Sequence, residues 1–136
     1  MVAFVEKGAG KIIVGGVSFS IKENTLFIMP QGCVYSGELQ PSNCSGYWLS
    51  FDKSLFSDIN FNQEAITDRK IFKQSSQPYF YADENQAGII SELFESLITE
   101  IELNGQARET MIGLKIVELL IHCDRFFLEA DLFDEK

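Results

Sequence analysis

Basic residues and histidines are scarce in this chain. Eleven Lys and Arg stand against twenty Asp and Glu, for a net charge of −9. Proteins that grip nucleic acid neutralise phosphates with Lys and Arg, so this balance argues against direct DNA or RNA contact by these residues. His122 is the sole histidine. Without a second imidazole or a clustered Cys, the chain lacks the ligand set of a transition-metal site, and no Ser or Cys has a histidine that the sequence places beside it. Cys33, Cys44 and Cys123 are odd in number and share no C-x-x-C spacing, so they read as idle or buried thiols. No apolar run reaches membrane-spanning length, and Met1 to Gly10 has neither the basic start nor the apolar core of a signal peptide. A cytoplasmic chain without metal, cofactor or catalytic residue is the expectation.

Aromatic residues are plentiful. Twelve Phe, four Tyr and one Trp among 136 residues favour a core rich in strands, and a chain of this length buries about two-thirds of the surface its unfolded form exposes, enough for one core. Gly8-Ala9-Gly10 and Gly15-Gly16 read as two hairpin turns between antiparallel strands. Neither fits a phosphate-cradling loop, because the spacing is not G-x-G-x-x-G and no helix pattern follows. Val17, Phe19 and Ile21 alternate with Ser18, Ser20 and Lys22, which predicts a half-buried strand. Leu26 to Met29 is a continuous apolar strand, Pro30-Gln31-Gly32 bends the chain before Cys33 to Leu39, and Pro41 to Gly46 forms another loop. Tyr47, Leu49 and Phe51 mark a further alternating strand with Trp48 and Ser50 on its other face. Short strands spaced by Gly, Pro and Asn turns are the pattern of a small β barrel or jelly roll.

Asp52 can cap a short helix, placed near residues 53–59, and residues 60 to 80 alternate too weakly to assign. From Asp83 the period becomes helical. Asp83 and Gln86 form a capping box, Ile90, Phe94, Leu97 and Ile101 share a stripe, and Asn104-Gly105 ends the helix through a left-handed glycine cap. A second helix spans about Arg108 to Phe127. Lys115, Glu118, His122, Arg125 and Glu129 form its solvated face, while Ile112, Ile116, Leu119, Cys123 and Phe126 form an apolar seam. The seam is a candidate dimer interface, the other reading being that all of it is buried within the monomer. The fold expected is mainly β with α: a barrel over residues 1–82, its first strands possibly truncated, then a two-helix region over 83–136.

The stretch from Asn24 to Leu39 resembles the second cupin motif, in which a glycine is followed by Pro-x-Gly, a histidine and an asparagine. Asn24 stands at the glycine, Pro30 and Gly32 match, Tyr35 replaces the histidine and Leu39 the asparagine. Gly8 fits the final glycine of the first cupin motif, and Met1 falls on its glutamate, so the paired histidines of that motif would lie upstream. Continuing past Gly46-Tyr47-Trp48-Leu49-Ser50-Phe51 into the helical hairpin, residues 2 to about 128 resemble the N-terminal sensor domain of AraC-type transcription regulators.

That resemblance implies a cupin-like β barrel (a double-stranded β-helix, or jelly roll) that binds a small effector, often a sugar, followed by a helical hairpin that forms a homodimer. DNA would be bound by a separate helix-turn-helix domain beyond Lys136. It also implies candidate ligand contacts. Tyr35 takes the family's histidine position at the barrel mouth, Trp48 an aromatic position on a pocket-lining strand, and Phe19 joins them as an inward aromatic. An indole can stack on the apolar face of a sugar while the phenol forms a hydrogen bond; the alternative is that the rings fill the barrel. A small cupin enzyme or a stand-alone sugar-binding cupin are the other functional readings, the first disfavoured by the missing histidines.

Overall fold

Among the described residues every strand pairing is antiparallel, and the pairings fall into two sheets. The computed structural model describes residues 1–29, 32, 34–39, 44–52 and 78–134, with the side chains of 38, 39 and 130–134 excepted. The elements are β1 (Val2–Lys7), β2 (Gly10–Val14), β3 (Val17–Ile21), β4 (Thr25–Ile28), β5 (Tyr35–Leu39), β6 (Ser45–Leu49), β7 (Tyr79–Tyr81), α1 (Glu84–Leu103) and α2 (Arg108–Asp134). One sheet has the order β6-β1-β4-β7 and the other β3-β2-β5. Pro30, Gln31 and the short helix expected near 53–59 lie outside the described residues.

Three layers result: the three-stranded sheet, the four-stranded sheet and the helical pair. The central strands β1 and β4 are covered on both faces, which is why each reads as an unbroken apolar run. Val2, Phe4, Leu26 and Ile28 point to the helices and share a core with Phe80, Ile90, Phe94, Leu97, Ile116 and Leu119. Ala3, Val5, Phe27 and Met29 point the other way, onto Ile12, Val14, Phe19 and Ile21. The expected boundary at residue 82 falls where strand gives way to helix, and one apolar core is shared across it.

Among the described residues the two sheets are not closed into a barrel. A barrel needs hydrogen bonds around the whole circumference. Here the first expected hairpin does not form, because β1 pairs with β4 and β6 while β2 pairs with β3 and β5, so Gly8 to Gly10 carries the chain from one sheet to the other. The Gly15-Gly16 hairpin does form, with φ of 56° and 83°, the left-handed pair that a two-residue turn between twisted strands requires.

The helices follow their sequence signals closely. Asp83 Oδ1 accepts from the Gln86 amide at 2.8 Å and Gln86 Oε1 accepts from the Asp83 amide at 3.0 Å, completing the capping box. At the other end the left-handed cap is Asn104 itself (φ 50°) rather than Gly105, asparagine being the other residue that tolerates this conformation. Arg108 then closes the hairpin by donating to the Ile101 carbonyl from Nε (3.0 Å) and Nη2 (2.7 Å). Ile101 is exposed instead of completing the buried stripe, and α2 runs to Asp134 rather than stopping near Phe127.

The second helix turns its predicted seam inward. Ile116, Leu119, Cys123 and Phe126 are buried in the chain's own core and Ile112 packs half-buried against it. The seam is therefore no open face for a partner: the sheet and α1 already cover it. Burial pushes the Cys123 thiol up to about 12, with Asp124 adding to the effect. The unfolded thiol ionises near 9. Above that pH the unfolded state sheds a proton that the folded state keeps, so this group's contribution is full below pH 9 and declines as pH rises, by at most about 1.4 kcal/mol per unit. Melting followed from pH 8 to 10 will show a decline that is shallower in Cys123→Ala; equal slopes would refute the assignment.

Candidate functional site

The inner face of the four-stranded sheet carries a row of rings. Register places Tyr79, Phe27, Ala3 and Trp48 side by side across β7, β4, β1 and β6, and residues directly opposite one another share a face. Trp48 meets Phe27 edge-on at 6.5 Å between centroids, and Phe27 meets Phe19 of the facing sheet at 5.8 Å. The facing rows are Val17, Val14 and Tyr35, then Phe19, Ile12 and Gly37. Trp48 and Phe19 are thus joined through Phe27, while Tyr35 belongs to the opposite sheet.

The two margins of this sandwich differ. At the β3/β7 margin Phe19 stacks on Tyr79 (4.2 Å, 12°), the Tyr81 hydroxyl donates to the Ser20 carbonyl at 2.6 Å, and Lys22 Nζ sits 4.1 Å from the centre of the Tyr81 ring. Burial, and then the neighbouring Tyr79, raise the Tyr81 hydroxyl above its ordinary range. With β3 over β7, the strand orders place β5 and β6 at the other margin, and the short link of residues 40–44 between them agrees. There Tyr35 and Trp48 are each 54% exposed, beside exposed Gly37 and Gly46. A Cβ on Gly46 would collide with the Phe4 carbonyl oxygen, so close pairing of β6 to β1 forbids a side chain next to Trp48's row.

Phe19, by contrast, is 5% exposed. It supports the row from within and is screened from solvent. The accessible aromatics are Trp48, its indole met edge-on by Phe27, and Tyr35 on the facing sheet. An indole face can stack on an apolar surface, and a phenol can donate or accept a hydrogen bond. Among the described residues no group of three or more His, Cys, Asp or Glu is placed to hold a metal ion. His122 lies on α2, half-buried, with its ring 6.1 Å from that of Phe126, away from the aromatic margin.

The reverse face of β6 binds the helical layer. The Tyr47 ring stacks on Phe94 (4.8 Å, 6°) and its hydroxyl donates to Glu95 Oε1 at 2.6 Å. That bond, followed by burial and the nearby Glu6 carboxylate, raises the Tyr47 hydroxyl well above its ordinary range. Ser91 of α1 donates to Glu6 Oε1 at 3.5 Å. Phe27, Tyr79 and Glu95 were not singled out from the sequence, and Tyr47 was read only as a strand residue. Tyr79 falls in the weakly alternating stretch, Phe27 in a run apolar on both faces, and the Tyr47 contact spans 48 positions.

The class of protein so defined is an antiparallel β sandwich, backed by two helices and with exposed aromatic side chains at one margin. Residues 1–119 match the model of the AraC-like ligand binding domain, and the chain belongs to that family. It is a family of regulatory ligand-binding domains rather than of enzymes. No curated protein matches the chain. Among the described residues no helix is long and apolar enough to cross a membrane.

Proposed function

We propose that this chain is the effector-binding and dimerisation domain of a cytoplasmic AraC-type transcription regulator, with a cupin-like sandwich as its receptor and no catalytic role. DNA is then read by a domain outside these residues, a reading that the acidic balance of the chain supports. The effector docks at the β5/β6 margin, and a neutral sugar is the ligand class that fits. The observation that carries this reading is Trp48: the residue is 54% exposed on an inner sheet face where Phe27, in the same row, is 1% exposed. An indole left half open on an otherwise filled face is a platform that a flat apolar ligand surface completes.

Trp48 is the sole tryptophan, so its emission reports on this margin alone. Titration with a panel of neutral monosaccharides is expected to give a saturable change in emission for at least one of them. At a hundredfold excess over Kd, binding adds about 2.7 kcal/mol to stability and raises the melting temperature accordingly. Trp48→Ala should abolish the thermal shift and Tyr35→Phe weaken it. A panel that moves neither emission nor melting, or a thermal shift that survives in Trp48→Ala, would overturn the assignment.

A homodimer through α2 must use a surface other than the buried seam. Met111, Leu114, Glu118, Ile121, Arg125 and Leu128 recur at steps of three and four, and Met111, Leu114 and Leu128 are 37%, 46% and 42% exposed. Paired antiparallel about a two-fold axis near Ile121, this stripe sets Glu118 against the partner's Arg125 twice, with the leucines meeting on either side. Such self-complementarity is what an isologous contact requires.

A further inference from the structure

We infer that β6 is the strand through which occupancy of the β5/β6 margin reaches the helical layer, with Tyr47 as the contact that carries it. The inference rests on the ligand position proposed above, but its physical basis stands without a ligand. Successive residues of a strand face opposite ways, so Trp48 and Tyr47 share a peptide bond and serve different layers. Trp48 looks onto the aromatic row between the sheets. Tyr47 lies flat against Phe94 and bonds Glu95, both on α1.

Three features make this strand the movable one. Among the described residues it is an edge strand, hydrogen-bonded to β1 alone within its sheet. Its pairing to β1 slips in register between Val5 and Lys7, a bulge where a strand bends readily. It also carries Gly46 beside that bulge. The central strands β1 and β4 are clamped on both faces, and β7 is held through Tyr79 and Tyr81 to β3. A ligand pressing on Trp48 therefore displaces β6 more easily than its neighbours. Tyr47 must follow, and its parallel stack and short hydrogen bond pass the displacement to the middle of α1. Since α1 packs along α2, the shift arrives at the helix that carries the exposed stripe.

Coupling is reciprocal, so a change made at the helical contact must be felt at Trp48. Tyr47→Phe removes the hydrogen bond and Glu95→Gln exchanges its charged acceptor for a weaker neutral one, both keeping size and shape. Both are expected to shift the Trp48 emission maximum and its acrylamide quenching constant in the ligand-free protein. Glu92→Gln, on the same helix and exposed, is expected to leave both where they are. In the other direction, Trp48→Ala should speed amide exchange around Phe94 and Glu95. Retained cooperative melting would show that the variants fold. Unchanged emission and quenching in both Tyr47→Phe and Glu95→Gln would overturn the inference, as would an equal response to Glu92→Gln. Because no ligand enters this experiment, a failure here leaves the sugar titration standing, and a failed titration leaves the coupling standing.

Discussion

Leu119→Ala will lower the stability of the domain by about 2–5 kcal/mol, the range for emptying a fully buried leucine site, while Leu114→Lys will leave the fold intact and weaken self-association. The two leucines are five positions apart on one helix and look alike in sequence. Leu119 is 0% exposed among residues of the four-stranded sheet and α1; Leu114 is 46% exposed. Truncating the first removes methyl groups from a packed interior that relaxes only in part. A charge at the second meets water in the monomer and, in the proposed dimer, an apolar partner surface. Urea unfolding measures the first effect and sedimentation over a range of concentrations the second. Near-native stability for Leu119→Ala combined with loss of a dimer would return the interface to the inward seam. Association untouched by Leu114→Lys would remove the outer stripe from consideration.

The contrast between those leucines shows what periodicity alone does not decide. Periodicity identifies which residues share a stripe, and Ile116, Leu119, Cys123 and Phe126 do share one. It does not say which of two apolar stripes faces the sheet, because that depends on the rotation of the helix against strands distant in the chain. Strands with one covered face were legible: Phe19 and Ile21 point in while Ser18 and Ser20 point out, and Tyr47 and Leu49 turn to the helices while Trp48 turns away. Strands with two covered faces were legible only as strands. Nothing in Leu26-Phe27-Ile28 separates the phenylalanine that supports Trp48 from the residues that meet the helices. Local backbone chemistry was readable in more detail. Asn24, standing where the cupin motif has glycine, takes φ of 61°, the left-handed conformation that glycine and asparagine adopt most easily. The first expected hairpin failed because a glycine pair marks a change of direction without saying which strand will be met afterwards.

Gly46→Ala should disrupt the site, at a smaller cost in stability than Leu119→Ala has in the core. The added Cβ would strike the Phe4 carbonyl oxygen and lie 3.0 Å from Val5 Cα, both backbone atoms of a central strand clamped on two faces. Neither can retreat, so β6 has to lift from β1, at a cost of about 1–3 kcal/mol typical of overpacking. Lifting β6 takes Trp48 off the edge of Phe27 and Tyr47 off Phe94 together. The expected result is a red-shifted, more readily quenched tryptophan and a lower melting temperature. Gly88→Ala provides the matched control: nothing lies within 4 Å of a Cβ on that exposed residue of α1, and replacing a helix-interior glycine should add about 0.5–1 kcal/mol of stability. If Gly46→Ala melts and fluoresces as the parent does, β6 is free enough to absorb a methyl group without releasing either ring. Trp48 and Tyr47 would then not be tied to one rigid strand, and a push on the first could not be delivered through the second.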